Sequence, residues 1–232
     1  MSGASPFAPY VTPFRRLTVE AQWPPTPNLL TADQATAGQA TPYAPGAIPA
    51  VMDVTTDVSG AVLSLAASAS AFQGSQVYQA AVPGGASTGF SVINIRHLPV
   101  ECPGLGLPPV YYSWSEYIRS ATGGVNPQMA AQIKWFDASG ATVGSSLGST
   151  ASLTGGSSAP WVRVAVSAQP PDGAAWGYGQ LVLRGTTPAG AWTFQAAAAQ
   201  FEQGGAPTGW AEPGTWYPIF TGGVERYPQT SY

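Results

Sequence analysis

Ala175-Trp176-Gly177-Tyr178-Gly179-Gln180-Leu181-Val182-Leu183-Arg184 alternates strictly between two sets of side chains. Successive side chains of a β-strand point to opposite faces, so this stretch reads as a strand with two distinct surfaces. Gly177, Gly179, Leu181 and Leu183 form a set suited to a close-packed core. Trp176, Tyr178, Gln180 and Val182 form the other set, and it is expected to project outward.

The same reading extends along the chain. β-rich runs bounded by Gly, Pro and Ser clusters fall at 61–67, 76–82, 90–96, 110–119, 130–137, 161–167, 175–184 and 192–201. Eight strands is the number of a jelly roll, so the fold class expected is an all-β jelly-roll β-sandwich. The Ser/Gly-rich stretch 144–158 reads as a hairpin or weak edge strands. Helical periodicity with capping signals is not found, apart from a short turn expected near Asn126-Pro127-Gln128.

The ends differ in character. Residues 1–27 carry six prolines, which exclude helix and central strand and favour an extended arm. Phe7, Tyr10, Phe14 and Trp23 are interleaved with them, and disordered tails are poor in aromatics. Such an arm needs a surface to cover. A second proline-broken, aromatic segment spans 203–232, with Trp216, Tyr217, Phe220 and Tyr227. The expected organisation is an arm at 1–27, a jelly-roll domain at 28–202 and an arm at 203–232.

Composition narrows the function. Charged residues make up 8% of the 232 residues, the net charge is −3, and Lys134 is the single lysine. Nucleic-acid binding, which needs a basic stripe, is not expected. Cys102 is the one cysteine and His97 the one histidine, so one chain cannot form an internal disulfide or a His/Cys metal cluster. No run approaches a membrane span, and no N-terminal stretch has the basic start and apolar core of an export signal. Synthesis in a host cytoplasm is therefore expected. A Ser-His-Asp arrangement would have to use His97, which lies in no nucleophile motif, and Gly84-Gly85 and Gly155-Gly156 lack the residues of a phosphate loop. Glu116, Asp137, Asp172 and Glu202 could be paired as glycosidase carboxylates only by coincidence. No enzymatic activity is expected.

Alternation also sorts the other strands. In 130–137 it places Ala131, Ile133 and Trp135 inward and Gln132, Lys134 and Phe136 outward. In 110–119 it places Tyr112, Trp114, Glu116 and Ile118 inward and Tyr111, Ser113, Ser115, Tyr117 and Arg119 outward. Tyr117, Arg119, Gln132, Lys134, Trp176, Tyr178 and Gln180 are the candidates for a glycan-facing surface, with rings to stack on sugars and amides to fix hydroxyls. The same residues suit a subunit interface, because exposed aromatic patches serve both uses.

Several phrases carry a resemblance. Asn28-Leu29-Leu30-Thr31-Ala32-Asp33, Tyr112–Ser120, Ile133–Gly140, Trp161-Val162-Arg163-Val164 and Ala199-Gln200-Phe201-Glu202 followed by Trp210 span roughly residues 28–212. Together they resemble carbohydrate-binding-module-like jelly rolls of minor tail proteins from phages of actinobacteria. The resemblance implies a structural virion component of the tail or tail tip. It would assemble through its arms with other virion proteins and further copies of itself, and could meet host cell-wall polysaccharide. A dedicated glycan-binding adhesin and a head decoration protein are the alternatives. The resemblance also implies a structural calcium ion near Asn28–Asp33 and the last strand. Ala197 stands where relatives have a carboxylate, and Asp33 and Glu202 with carbonyls would make a poor cage for an ion that prefers six to eight oxygens. No cofactor is expected.

Overall fold

The computed structural model describes residues 28–68, 71–72, 74–99, 110–122, 125–156, 158–185 and 187–210. They form a jelly-roll β-sandwich of two antiparallel sheets. The strands are β1 (Gly46–Ala47), β2 (Val54–Thr55), β3 (Val62–Ala67), β4 (Gln76–Val82), β5 (Ser91–Pro99), β6 (Tyr112–Ser120), β7 (Gln128–Phe136), β8 (Thr142–Ser152), β9 (Val162–Ala168), β10 (Trp176–Arg184) and β11 (Trp192–Gln203). The first sheet runs β1-β3-β4-β11-β6-β9 and the second β2-β5-β10-β7-β8. The aromatic residues assigned to the arms at Phe7, Tyr10, Phe14, Trp23, Trp216, Tyr217, Phe220 and Tyr227 lie outside the described residues, as does Cys102.

All eight expected strands are present, with ends shifted by a few residues. The 144–158 stretch contributes one eleven-residue strand, β8, at the edge of the second sheet. Its Ser, Thr and Gly residues keep an edge polar without charge. Two local expectations need correction. Gln128 opens β7 rather than ending a helical turn, because Pro127 is compatible with the residue before a strand. A four-residue helix, α1 (Ala32–Ala35), is present instead, and a capping box between Thr31 and Gln34 explains it. Four residues are too few to show helical periodicity.

The core lies between the sheets. Trp114 from the first sheet and Trp135 from the second are both fully buried there, with Ile93, Ile95, Ile118, Ile133, Leu181, Phe194 and Phe201. Gly179 accounts for the fit of Trp114. A Cβ at Gly179 would stand 2.2 Å from indole Cδ2, a separation that real side chains do not tolerate. Gly177 gives Trp135 the same room, with a notional Cβ 3.0 Å from Cε3. The glycine-bearing face of the opening sequence is thus the inward face of β10, as alternation predicts.

The phrases at 28–33 and 199–202, some 170 residues apart, meet directly. Asn28 Nδ2 donates to the Ala199 carbonyl at 2.9 Å, Asn28 Oδ1 accepts from Phe201 N at 3.1 Å, and Leu29 N donates to the Phe201 carbonyl at 2.7 Å. Asn28 fills the interruption where β11 shifts register between Ala197 and Gln200, at the left-handed Ala198. Among the described residues, no helix is long and apolar enough to cross a membrane.

Candidate functional site

The sandwich has two outer faces, and the seven glycan candidates divide between them. Tyr117 and Arg119 lie on β6 in the first sheet, whereas Gln132, Lys134, Trp176, Tyr178 and Gln180 lie on β7 and β10 in the second. One surface cannot include all seven. Alternation gives the face of a strand but not the sheet that it joins, which is set by pairing with distant strands.

Several groups on the outer face of the first sheet are engaged by the chain itself. Phe72 stacks on Tyr117 with ring centroids 3.5 Å apart, and the Arg163 guanidinium lies 5.6 Å from the Tyr117 centroid. Arg119 is buried. Its Nε and Nη2 both donate to Gln195 Oε1, at 2.9 and 2.7 Å, Nη2 also donates to Ser68 Oγ, and the guanidinium sits 4.6 Å over Trp161. Further along, Glu202 accepts from Thr208 N and Oγ1, each at 2.7 Å. On this sheet Arg119 is buried among its partners, and Tyr117 is half-buried with Phe72 stacked on its ring.

The outer face of the second sheet is built differently. Phe136 stacks on Trp176 at 4.2 Å and 10°, and on Tyr178 at 4.7 Å and 26°. Phe136 thus forms the centre of a three-ring cluster, because it pairs across the strands with Trp176 and lies diagonally from Tyr178. Sequence reading placed Phe136 outward without making it a candidate. Its position two residues from Lys134 was the signal. Lys134 Nζ lies 5.6 Å from the Phe136 centroid, within cation–π range.

Beside the rings runs a row of amides. Gln180 pairs with Gln132 on one side and Asn94 on the other, and its Nε2 donates to Asn94 Oδ1 at 2.7 Å. Asn94, 0% exposed, donates in turn to Thr55 Oγ1 at 3.4 Å. Exposure grades across the face. Tyr178 and Gln180 on β10 are buried, so neither is an open contact as alternation suggested. Trp176, Gln132 and Lys134 are half-buried, and Ser145 and Leu147 on β8 are exposed. The accessible part is therefore the β7–β8 side with the rim of Trp176.

Carboxylates avoid this face. Glu116 points into the core from β6, fully buried, and neither of its oxygens has a hydrogen-bond partner among the described residues. Burial pushes its pKa well above the usual carboxylate range. Asp137, in the turn after β7, caps that turn by accepting from Ser139 Oγ, Ser139 N and Ala141 N, and these bonds hold its pKa below the ordinary value. A groove of about 290 Å³ between Asp57–Ser59 and Pro83–Phe90 is lined by none of the candidates.

No protein-family model and no curated protein matches the chain. Solved structures match at low identity. The arabinose-bound MgGH51 α-L-arabinofuranosidase aligns with a TM-score of 0.53 and 16% identity, over 77% of this chain and 26% of that one. The CBM22-1 xylan-binding domain of Paenibacillus barcinonensis Xyn10C gives 0.46 and 15%, over 65% of this chain and 85% of the domain. The enzymatically active domain of tailspike protein 4 of bacteriophage CBA120 gives 0.42 and 11%, over 65% and 19%. The likeness at this level is one of fold, a jelly-roll β-sandwich. This chain spans only about a quarter of the arabinofuranosidase.

The residues present do not suit the calcium ion that the sequence resemblance implies. Both Asp33 oxygens accept from Thr41, at 2.9 Å from N and 2.5 Å from Oγ1, while both Glu202 oxygens are held by Thr208. Among the described residues, no group of three or more acidic, His or Cys side chains could hold a metal ion.

Proposed function

We propose that this chain is a glycan-binding module without enzymatic activity, and that it meets polysaccharide through the β7–β8 side of the second sheet's outer face. The observation that carries the reading is the ring cluster of Phe136, Trp176 and Tyr178 set beside half-buried Gln132 and Lys134. A ring offers an apolar face to sugar C–H groups, and flanking polar side chains fix the hydroxyls. The jelly-roll fold supports the reading at the level of architecture only, because one fold hosts many functions.

Trp176 is the ring to test. Trp176→Ala is expected to weaken retention on an immobilised cell-wall polysaccharide by about 2 kcal/mol, the scale of an aromatic hot spot, with little change in melting temperature. Unchanged retention by the folded variant would refute this surface.

A second reading rests on the sequence of the ends. The proline-rich, aromatic segments 1–27 and 203–232 support a role as a structural component of a phage tail or tail tip, assembled with other virion proteins and further copies of itself. The module would then display its glycan face on the particle, after synthesis in the host cytoplasm. Deleting residues 1–27 is expected to leave a cooperatively melting β domain that no longer enters particles. Normal incorporation of the deletion would remove the arm from the mechanism.

A further inference from the structure

Charge is divided unequally between the two sheets. The strands of the second sheet contain Arg96, Lys134 and Arg184 and not one Asp or Glu. The first sheet carries Glu116 and Glu202 among its strands. Such a division is notable in a chain whose net charge is −3.

Two of those cations stand on the outer face of the second sheet. Lys134 alternates with the core residues Ile133 and Trp135, and Arg184 follows the core residue Leu183. Both are half-buried, neither makes a hydrogen bond or ion pair with a described residue, and Lys134 has the Phe136 ring 5.6 Å from its Nζ. The two arginines on the other face are engaged, Arg119 with Gln195 and Arg163 with Ser115. Arg184 pairs with Gln128, six residues before Lys134 on β7, so the two cations lie about 20 Å apart along the strand direction. That spacing exceeds the Debye length of about 8 Å at physiological salt, so the two cations act on a ligand independently of each other. Asp137, the acid in the turn after β7, already caps that turn.

We infer that the polymer bound by this face is an anionic glycan, with carboxylate or phosphate groups repeated along its length, which meet Lys134 and Arg184 while its sugars lie against the ring cluster. The inference rests on the glycan-binding reading and adds the charge class of the ligand. A neutral polymer would make no use of either charge. A short ligand would reach only one of them.

Affinity electrophoresis of the full chain through gels containing polygalacturonate, wall teichoic acid or neutral xylan tests it. Retention is expected in one or both anionic gels and to exceed that in xylan. It should weaken with added salt and fall about threefold for each of Lys134→Gln and Arg184→Gln, the scale of an exposed ion pair. Lys134→Arg should restore retention, which separates charge from packing. Retention by polygalacturonate alone would identify the anion as carboxylate, and by teichoic acid alone as phosphate, either one supporting the inference. Equal, salt-independent retention by xylan would overturn the anionic assignment and leave the glycan-binding reading standing. Absence of retention in all three gels, with the protein folded, would overturn both.

Discussion

The two outer faces begin from similar materials and end in opposite states. Each has an aromatic residue, a row of Gln and Ser side chains and two cations. On the first sheet the chain itself takes up these groups: Phe72 covers Tyr117, Gln195 and Ser68 hold Arg119, and Thr208 holds Glu202. On the second sheet the rings stack on one another, and Lys134 and Arg184 are left facing outward. A polar, aromatic sheet face is therefore not a binding site by composition alone. On the proposed function, what distinguishes the second face is unused hydrogen-bonding and charge capacity at positions that a ligand can reach.

The most severe way to break this contrast is to remove the core on which both faces stand. In Gly179→Ala, the added Cβ would fall 2.2–2.5 Å from three atoms of an indole that is fully buried and cannot withdraw. Overpacking of this kind costs about 3 kcal/mol or more. Chemical denaturation should show the loss, and glycan retention should fall with it. Gly190→Ala, where a Cβ meets nothing within 4 Å, is the control and should be close to neutral. Equal stability of the two variants would mean that Trp114 is not packed as described.

A smaller effect separates the sheets by their response to pH. Glu116 belongs to the first sheet, and its folded pKa lies well above the ordinary value of 4.5 because burial disfavours the charged form. The unfolded chain therefore releases this proton at lower pH than the folded one does. The contribution of Glu116 to stability is complete below about pH 4.5 and is lost as pH rises toward the folded pKa, by about 1.4 kcal/mol per unit within that window. Urea midpoints at pH 5 and pH 7 should decline for the wild type. Glu116→Gln, which cannot ionise, should remove that decline; a decline of equal size in both proteins would assign the pH dependence to other groups.

How far the sequence discloses this contrast depends on the range of the interactions involved. Period-two alternation is local, and it sorts Ala131, Ile133 and Trp135 from Gln132, Lys134 and Phe136 correctly. It also marks Gly177 and Gly179 as inward, and the two tryptophans opposite them explain why those positions carry no side chain. The assignment of strands to sheets is not local. β11 inserts between β4 and β6, joining residues more than 100 positions apart at its β4 side. Nothing in Tyr112–Ser120 itself states that β6 and β7 belong to different sheets. Cover is harder still to read, since Phe72 and Thr208 act from irregular segments whose sequence has no periodicity to interpret. The Thr31-x-x-Gln34 capping box, in which two side chains satisfy each other's backbone donors, went unread because four helical residues show no periodicity to flank it.

The smallest expected effect probes which ingredient makes the difference. Phe72 is 37% exposed and touches the first sheet through its stack on Tyr117. Phe72→Ala should cost only about 1 kcal/mol, the worth of an aromatic pair, while uncovering one face of the Tyr117 ring. Combined with Trp176→Ala, it asks whether a bared ring on the first sheet can replace the ring lost from the second. If an open aromatic face were sufficient, retention on polysaccharide would return. The hydrogen bonds argue against that outcome. Around Tyr117, Gln195 is held by Arg119 and Gln79, Ser115 by Arg163, and Ser113 by Ser167, so a sugar stacked there would find its hydroxyls without free partners. Leaving polar groups unpaired on binding costs more than one stacked ring returns. The double variant is therefore expected to be no better retained than Trp176→Ala alone, and recovery of retention would show that ring exposure, rather than free polar and charged capacity, separates the two faces.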